Sequence, residues 1–169
     1  MILKPLIIVA GEPYSIFSEI FLKIYKKKIK NIKMPIILIG SKKLFEKQMR
    51  SLNYSNKLNL IQPKEILKTS LDNKFINLIN VNFKFNKTFD KISDKSSKYI
   101  KNCFTIALNI LKKNKALGLI NGPISKKFFL KKKYPGITEY LANKSKSKNC
   151  VMLIYNNKLA VSPITTHLP

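Results

Sequence analysis

Short apolar runs alternate along the chain with segments of helical periodicity, and this alternation limits the fold more than any other feature. The runs are nearly continuous in Ile, Leu and Val, which is typical of strands buried on both faces of a mainly parallel sheet. Helices between such strands form repeated strand–helix units, so the sequence predicts an α/β fold. The predicted strands are Leu3–Ala10, Pro35–Gly40, Leu58–Ile61, Phe75–Val81 and Ala116–Asn121.

Two of the predicted helices are defined by their apolar positions. The clearer one runs from about Ser93 to Asn114, with Ser93 as a candidate N-cap. Cys103 lies on its apolar stripe, so we expect a core residue rather than a reactive thiol. The first helix, Ile16–Ile29, has apolar positions at Ile16, Ile20, Ile24 and Tyr25.

The remaining predicted elements are shorter. Asn156-Asn157 is a plausible turn dipeptide for a hairpin between Val151–Tyr155 and Leu159–Ser162. Three further helices are predicted at Lys42–Leu52, from Ser125, and from Gly136 to about Lys144.

The formal charge of +25 comes from 33 Lys+Arg against 8 Asp+Glu, and Arg50 is the only arginine. Arginine is the usual residue for bidentate phosphate and guanine contacts, so we expect no specific nucleic-acid partner. Lysine, asparagine and isoleucine are jointly abundant, as an AT-rich genome produces. Codon drift and a selected polyanion-binding surface are the two explanations, and with either one the charge attracts phosphorylated metabolites.

Other classes of protein are disfavoured by simple patterns. No apolar run approaches the roughly 18 residues that span a bilayer, and the N-terminal run is short for a signal peptide. Cys103 and Cys150 cannot build a disulfide framework or a four-ligand metal site. We expect a cytoplasmic protein without membrane contact.

Three turns of the chain carry unusual residues. Two of them follow the carboxyl ends of predicted strands, where ligands bind in α/β sheets, and the third is the last segment of the chain. Each has a structural and a functional interpretation. Glu12 is a surface charge or a cleft residue; Ser125 is a helix cap or part of a phosphate-binding helix start, with Lys126 adding charge. His167, the only histidine, is structural or a metal ligand. The turns are Gly11-Glu12-Pro13, Asn121-Gly122-Pro123-Ile124-Ser125-Lys126 and Thr165-Thr166-His167-Leu168-Pro169.

Together with Ile16, Glu19-Ile20 and the segment Gly136-Ile137-Thr138-Glu139-Tyr140-Leu141-Ala142, these turns resemble the 4-hydroxythreonine-4-phosphate dehydrogenase family of vitamin B6 synthesis. The match covers the whole chain and resembles the N-terminal half of that family. It implies an isocitrate/isopropylmalate-dehydrogenase-like fold of two α/β lobes, here residues 1–125 as the first lobe and 126–169 as an incomplete beginning of the second.

The resemblance also implies an activity, NAD-dependent oxidation and decarboxylation of 4-phosphooxy-L-threonine to 3-amino-2-oxopropyl phosphate, and a homodimer. It implies a divalent metal (Zn, Mg or Co) held by three histidines, of which His167 is the first. Thr138 falls on a substrate-binding threonine, while Asn121, Glu12 and Ser125 are cleft residues. The other two metal ligands belong to the missing half, one of them supplied by the partner subunit.

Two positions depart from the family pattern. Ile137 occupies a position that is usually a substrate-binding histidine, and isoleucine can neither donate a hydrogen bond nor carry charge. Phe17 replaces a glycine, so the backbone there is less able to approach a ligand closely.

Three hypotheses follow from these patterns. The chain is part of a family dehydrogenase and inactive alone, or it acts on another phosphorylated four-carbon hydroxy acid, or it is a basic binding protein without catalysis. As a fragment, it should expose apolar surface around Val151–Ile164 and tend to aggregate or dimerise.

Overall fold

A computed structural model describes residues 3–68, 70–147 and 150–163 of the chain. They form the α/β fold that the sequence predicts, in two compact units, Met1–Ser125 and Lys126–Pro169. The assignment of these units to lobes of a longer enzyme stays a prediction. The strands and main helices of the first unit are β1 (Leu6–Val9), α1 (Phe17–Lys27), β2 (Ile36–Gly40), α2 (Lys42–Ser51), β3 (Leu58–Leu60), β4 (Ile76–Asn80), α3 (Ser97–Lys112) and β5 (Gly118–Asn121).

The five strands form one parallel sheet in the order β3-β4-β2-β1-β5. Leu6 of β1 is aligned with Ile36 on one side and with Gly118 on the other. The chain therefore builds β2, β3 and β4 on one side of β1 and then crosses back to add β5 on the other side. This reversal makes the β1–β5 boundary the topological switch point, where open α/β sheets bind their ligands.

Helices cover both faces of the sheet. α1 and α2 pack on one face in a cluster that includes Ile8 and Leu38, and α3 contacts β1, β2 and β5. Ile7 and Ile37 alternate with the clustered residues and are fully buried, which places α3 on the opposite face. The inner strands are buried as predicted. The edge strands β3 and β5 are not, because each has a neighbour on one side only.

α1 buries a different face from the one its isoleucines predicted. Ile16, Ile20 and Ile24 are 65%, 44% and 45% exposed. The helix carries a second apolar stripe, and its larger aromatic rings bury more area than the isoleucines would. Rings along this stripe stack on each other at 5.7 and 6.1 Å between centroids. The residues that α1 buries are Ser18, Phe21, Leu22 and Tyr25.

Asn73 connects the end of α1 to the start of β2. The hydroxyl of Tyr25 donates a hydrogen bond to the Asn73 carbonyl at 2.9 Å. The Asn73 side chain accepts from the backbone N–H of Ile36 at 2.9 Å and donates to the carbonyls of Ile32 (2.8 Å) and Met34 (2.9 Å). One buried amide thus satisfies three backbone groups of the segment that leads into β2.

α3 begins at Ser97 rather than near Ser93. A short 3-10 turn, Asp94–Ser96, precedes it, and the Ser93 side chain makes no capping bond. Ser93 occupies the N-cap position of this 3-10 turn, which continues directly into α3, so the helical segment starts near Ser93 or Asp94 as predicted but without the expected side-chain cap. The predicted core position of Cys103 is confirmed, since its side chain is fully buried and burial raises the pKa of its thiol to about 12.

The second unit contains a π-helical turn (Lys126–Leu130), α4 (Ile137–Ser145) and a hairpin of β6 (Ile154–Tyr155) and β7 (Ala160–Val161). The helix predicted from Ser125 is this π-helical turn. The hairpin is connected by four residues, 156–159, which include the predicted Asn156-Asn157 dipeptide. The exposed apolar surface predicted here is confirmed for 151–163, whereas Ile164 lies outside the described residues. Its most exposed members are Val151, Leu153, Ile154, Tyr155 and Leu159, each above 60%. In the described ranges, no helix combines the length and apolarity needed to cross a membrane.

Candidate functional site

The turns after β1 and β5 meet at the switch point of the sheet. The backbone N–H of Gly122 donates to the carbonyl of Val9 at 2.7 Å, extending the ladder between the two strands. Beyond this bond, the N–H of Glu12 donates to the carbonyl of Pro123, also at 2.7 Å. Two of the three turns singled out in the sequence are therefore hydrogen-bonded to each other.

Two glycines make this close approach possible. Gly11 has a φ of +75°, and a Cβ on it would lie 2.3 Å from the carbonyl oxygen of Pro123. A Cβ on Gly122 would lie 2.2 Å from the carbonyl oxygen of Ala10. Both neighbours are backbone atoms, which cannot swing away as a side chain would. Neither turn can accept a larger residue without separating from the other.

Glu12 is a buried carboxyl group rather than a surface charge. Its residue is 2% exposed, and neither carboxyl oxygen has a hydrogen-bond partner among the described residues. Burial raises its pKa above the usual 4.5, and the nearby Ser96 hydroxyl lowers it by a smaller amount. That hydroxyl donates its hydrogen to the carbonyl of Ser93 at 2.9 Å, which leaves the carboxyl group without a donor.

A small cavity of about 20 Å³ lies beside the Glu12 side chain, within the first unit. This volume is large enough for about one water molecule. The polar residues that line it are Glu12, Ser18, Ser41, Gln48 and Tyr99. A water in this cavity would give the Glu12 carboxyl group the partner that protein atoms do not supply.

Gln48 fixes the position of the turn after β1, and sequence reasoning missed it. Its side-chain amide donates to the carbonyls of Pro13 (2.8 Å) and Thr88 (3.2 Å), and its oxygen accepts from the Ser18 hydroxyl at 2.6 Å. Gln48 is 2% exposed. The available signal was its spacing, because it lies four positions after Leu44 in the buried stripe of an amphipathic helix, where an apolar residue is expected.

Aromatic rings surround the outer side of the same turn. Tyr14, directly after the Gly11-Glu12-Pro13 turn, contacts the edge of Phe83 at 5.8 Å, and Phe83 lies 4.9 Å from Tyr99. Burial, followed by the charges of Asp90 and Glu12, raises the pKa of the Tyr14 hydroxyl.

Phe17, at the position where the resemblance implies a glycine, begins α1 beside the β5 turn. Its ring is close enough that a Cβ on Gly122 would lie 2.9 Å from it. The ring occupies space next to the turn, and its effect on ligand approach stays a prediction.

The other predicted site residues of the first unit lie at the end of β5. Asn121 is its last residue; it is exposed, and its amide donates to the carbonyl of Gly122 at 3.2 Å. Ser125 is half-buried and ends the unit.

The remaining predicted residues belong to the second unit or lie outside the described ranges. Lys126 is exposed and begins the π-helical turn, while Ile137 and Thr138 are half-buried in the first turn of α4. His167 and the Thr-Thr-His-Leu-Pro segment lie outside the described residues. Across residues 3–68, 70–147 and 150–163, no three His, Cys, Asp or Glu side chains cluster as metal ligands would.

Sequence comparison identifies relatives along nearly the whole chain. The curated 4-hydroxythreonine-4-phosphate dehydrogenase of Sulfurihydrogenibium sp. (strain YO3AOP1) is 32% identical over 167 residues, covering 97% of this chain and 50% of that protein. The enzyme of the same name from Aquifex aeolicus (strain VF5) is 44% identical over 55 residues, 31% of this chain and 17% of that protein. The chain therefore spans at most about half the length of the curated relatives it matches.

Solved structures share the fold. A 4-hydroxythreonine-4-phosphate dehydrogenase from Burkholderia phymatum superposes with a TM-score of 0.82 at 20% identity, covering 100% of this chain and 52% of that one. A structure named as a putative enzyme of this kind from Salmonella typhimurium gives 0.81 at 21% identity, covering 98% and 52%. The model of the pyridoxal phosphate biosynthetic protein PdxA family matches residues 31–169, more than half of the chain. The chain belongs to the PdxA family.

Proposed function

We propose that this chain supplies the N-terminal part of a 4-hydroxythreonine-4-phosphate dehydrogenase. The observation that carries the proposal is the meeting of the two signature turns at the switch point of the sheet, in a chain that belongs to the PdxA family. Ligands of open α/β sheets bind outside the carboxyl ends of the strands at this point. The curated relatives carry the name of this activity.

The proposed reaction oxidises the secondary hydroxyl of 4-phosphooxy-L-threonine to a ketone. The carbon loses a hydride and the hydroxyl loses a proton; NAD, when bound, supplies the hydride acceptor. The resulting β-keto acid loses carbon dioxide and takes up a proton to give 3-amino-2-oxopropyl phosphate.

The chain's own contribution is to bind and orient the substrate. The Thr138 hydroxyl can donate and accept hydrogen bonds, and the Lys126 ammonium is a point charge for the phosphate. The formal charge of +25 attracts the phosphorylated substrate over longer distances.

The metal site and the NAD site are not assigned to described residues. No three metal-ligating side chains cluster in the described part of the chain, and His167 lies outside it. A Zn, Mg or Co ion is expected from the resemblance alone.

A homodimer in the cytoplasm completes the proposal. The exposed apolar side chains of the β6–β7 hairpin support an association of this kind, because exposed apolar patches commonly mark contact surfaces. The oligomeric state would be measured by light scattering on the purified protein.

Ile137 favours a second candidate, a dehydrogenase of another phosphorylated four-carbon hydroxy acid. Isoleucine cannot form the hydrogen bond that the usual histidine forms, and Ile137 lies half-buried beside Thr138 at the start of α4. The Ile137→His variant separates the two candidates. If 4-phosphooxy-L-threonine is the substrate, the wild-type fusion prefers it to other phosphorylated four-carbon hydroxy acids and the variant keeps that preference. If the substrate is another acid, the wild-type fusion prefers that acid and the variant shifts the preference towards 4-phosphooxy-L-threonine.

The experiment fuses this chain to the C-terminal half of the Sulfurihydrogenibium relative and measures NADH formation from 4-phosphooxy-L-threonine with divalent metal. The proposal predicts metal-dependent NADH formation by the fusion and none by the chain alone. The matched control is the Thr138→Val fusion, which keeps the side-chain shape and removes the hydroxyl. A folded fusion that forms no NADH from any phosphorylated four-carbon hydroxy acid would instead identify a catalytically inactive basic fragment.

A further inference from the structure

The buried carboxyl group of Glu12 and the hydrogen bond between the turns after β1 and β5 belong to the same residue. The Glu12 N–H donates to the Pro123 carbonyl at 2.7 Å, while the Glu12 side chain is buried within the first unit. Residues of α1, α2 and α3 enclose this side chain together with the turn. We therefore expect the carboxyl group to reach solvent only when the Glu12 backbone moves as well.

The buried site cannot hydrate an ionised carboxyl group. Neither Glu12 oxygen has a hydrogen-bond partner among the described residues. An ionised carboxyl group offers roughly four acceptor positions, whereas the adjoining cavity of about 20 Å³ holds about one water molecule. The protonated form fits the site, and the ionised form gains most of its hydration by leaving it.

The groups around Glu12 do not supply a compensating positive charge. Tyr99 of α3 and Tyr14, next to the turn, interact electrostatically with Glu12; burial, with a smaller effect from the charge of Glu12, raises the pKa of both hydroxyls. Asp90, an exposed acid, also acts on Tyr14. Each of these three groups becomes negative when it ionises, so none of them can neutralise the carboxylate. The other polar side chains that line the cavity or lie near the carboxyl group are uncharged, namely Ser18, Ser41, Gln48 and Ser96.

The turn is anchored on both sides of Glu12. Before it, the Ala10 N–H donates to the Ile39 carbonyl of β2 at 3.1 Å. After it, the Pro13 carbonyl accepts a hydrogen bond from the Gln48 side chain at 2.8 Å. The segment between these anchors is Gly11-Glu12, and glycine gives its backbone the freedom to change conformation. Glu12 can therefore leave its site without unfolding of β1 or α2.

We propose that Glu12 is a proton-controlled latch: the turns after β1 and β5 are joined while its carboxyl group is protonated and buried, and they separate when it ionises. Ligands of open α/β sheets bind at this edge, so the protonation of one side chain controls the shape of the candidate site. The latch does not depend on the dehydrogenase assignment, because its residues lie in the first unit and its test uses no substrate.

The test is amide hydrogen exchange of the 169-residue chain, followed by NMR between about pH 4 and pH 8. The exchange rate of each amide is divided by that of an unprotected amide at the same pH. In the separated state the carboxyl group has its usual pKa of 4.5, so separation becomes more favourable as the pH rises past this value. Protection of the Glu12 N–H should fall about 5- to 150-fold, the factor that corresponds to the cost of an unpaired buried polar group.

Urea distinguishes local separation of the turns from global unfolding. The effect of urea on an opening reaction scales with the surface that the opening exposes. At about pH 8, urea below the unfolding transition should hardly accelerate exchange of the Glu12 N–H and should accelerate exchange of the Ala10 N–H, which is bonded to β2. The same urea dependence for both amides would show that Glu12 ionises only on global unfolding, and it would overturn the latch without any variant.

Two variants identify the group that titrates. In Glu12→Gln, protection of the residue 12 N–H should change less than twofold across the pH range, because glutamine cannot ionise. Asp90→Asn is the matched control, since it removes an exposed acid near the same turn and should keep the wild-type pH dependence. A pH dependence that persists in Glu12→Gln or disappears in Asp90→Asn would assign the titration to another group. Constant protection of Glu12 in the wild type would equally overturn the proposal.

Discussion

Replacing Glu12 by glutamine should make the chain more stable at neutral pH and change little in acid. Glutamine keeps the size of the side chain and cannot ionise. In the wild type, the carboxyl group is 2% exposed and both its oxygens lack partners in the described part of the chain. A buried acid of this kind resists losing its proton, which is why its pKa lies above 4.5.

The sign of the pH dependence follows from this raised pKa. Below about pH 4 the carboxyl group is protonated in both the folded and the unfolded chain, and it imposes no charge cost. As the pH rises past 4.5, the unfolded chain ionises first, so unfolding releases a proton and the free energy of unfolding falls. The fall ends once the pH exceeds the folded-state pKa. With respect to Glu12, the free energy of unfolding is therefore highest in acid and falls towards neutral pH.

The size of the effect is set by the cost of an unpaired buried polar group. That cost is about 1–3 kcal/mol, and a charge raises it. The quantity to compare is the free energy of unfolding of Glu12→Gln minus that of wild type. This difference should be larger at pH 8 than at pH 4 by about 1–3 kcal/mol. For a chain of this length, each kcal/mol corresponds to about 2–4 °C in melting temperature.

Urea unfolding followed by circular dichroism between about pH 4 and pH 8 measures this difference. Glu19→Gln is the matched control, since Glu19 is an exposed acid of α1 paired with Lys23 at 2.6 Å. Removing it should lower stability at neutral pH, the opposite sign, by about 0.5 kcal/mol or less. Wild type and Glu12→Gln curves that stay parallel across the whole pH range would refute the reasoning, because they would show that Glu12 titrates alike in both states.

Two further predictions concern packing at single positions. Gly11→Ala should lower the free energy of unfolding by at least about 2 kcal/mol, because φ is positive there and the new Cβ would meet the Pro123 carbonyl. Gly118→Ala, whose Cβ would make only ordinary contact at 3.5 Å, should change it by about 1 kcal/mol or less. Urea unfolding measures both changes, and equal losses would contradict the turn argument. The exposed Cys150 should react with a thiol reagent in the native protein, whereas the buried Cys103, with a pKa of about 12, should react only after unfolding. Mass spectrometry of the labelled chain distinguishes the two cysteines, and native labelling of Cys103 would contradict its place in the core.

The order of elements could be predicted from the sequence because buried parallel strands leave a strong signal. The run Pro35–Gly40 has no other reasonable interpretation, and β2 occupies Ile36–Gly40. Helix faces were harder, because α1 carries two apolar stripes and only packing against α2 decides between them. The sequence could not indicate that β3 and β5 are edges, since strand order depends on contacts between distant segments.

In the candidate site, too, local features could be predicted from the sequence and contacts between distant segments could not. The turns at Gly11 and Gly122 were identifiable because they follow strands. Their hydrogen bonding to each other was not, since it requires β1 and β5 to be neighbours. Glu12 was interpreted as a surface or cleft residue because a charged side chain is usually solvated. In the fold it lines one cavity with Gln48 and Tyr99, which come from two other elements.

The hydrogen bonds of the Asn73 side chain restrict which residues can replace it. Asparagine is abundant in this chain, and most substitutions between asparagine, lysine and serine at exposed positions should be neutral. At Asn73, only an amide can both accept from Ile36 and donate to two carbonyls, so aspartate and serine each leave part of the set unmet. A biased genome supplies asparagine at many positions, whereas purifying selection should retain Asn73. Among sister lineages, Asn73 should stay fixed while exposed asparagines such as Asn102 vary.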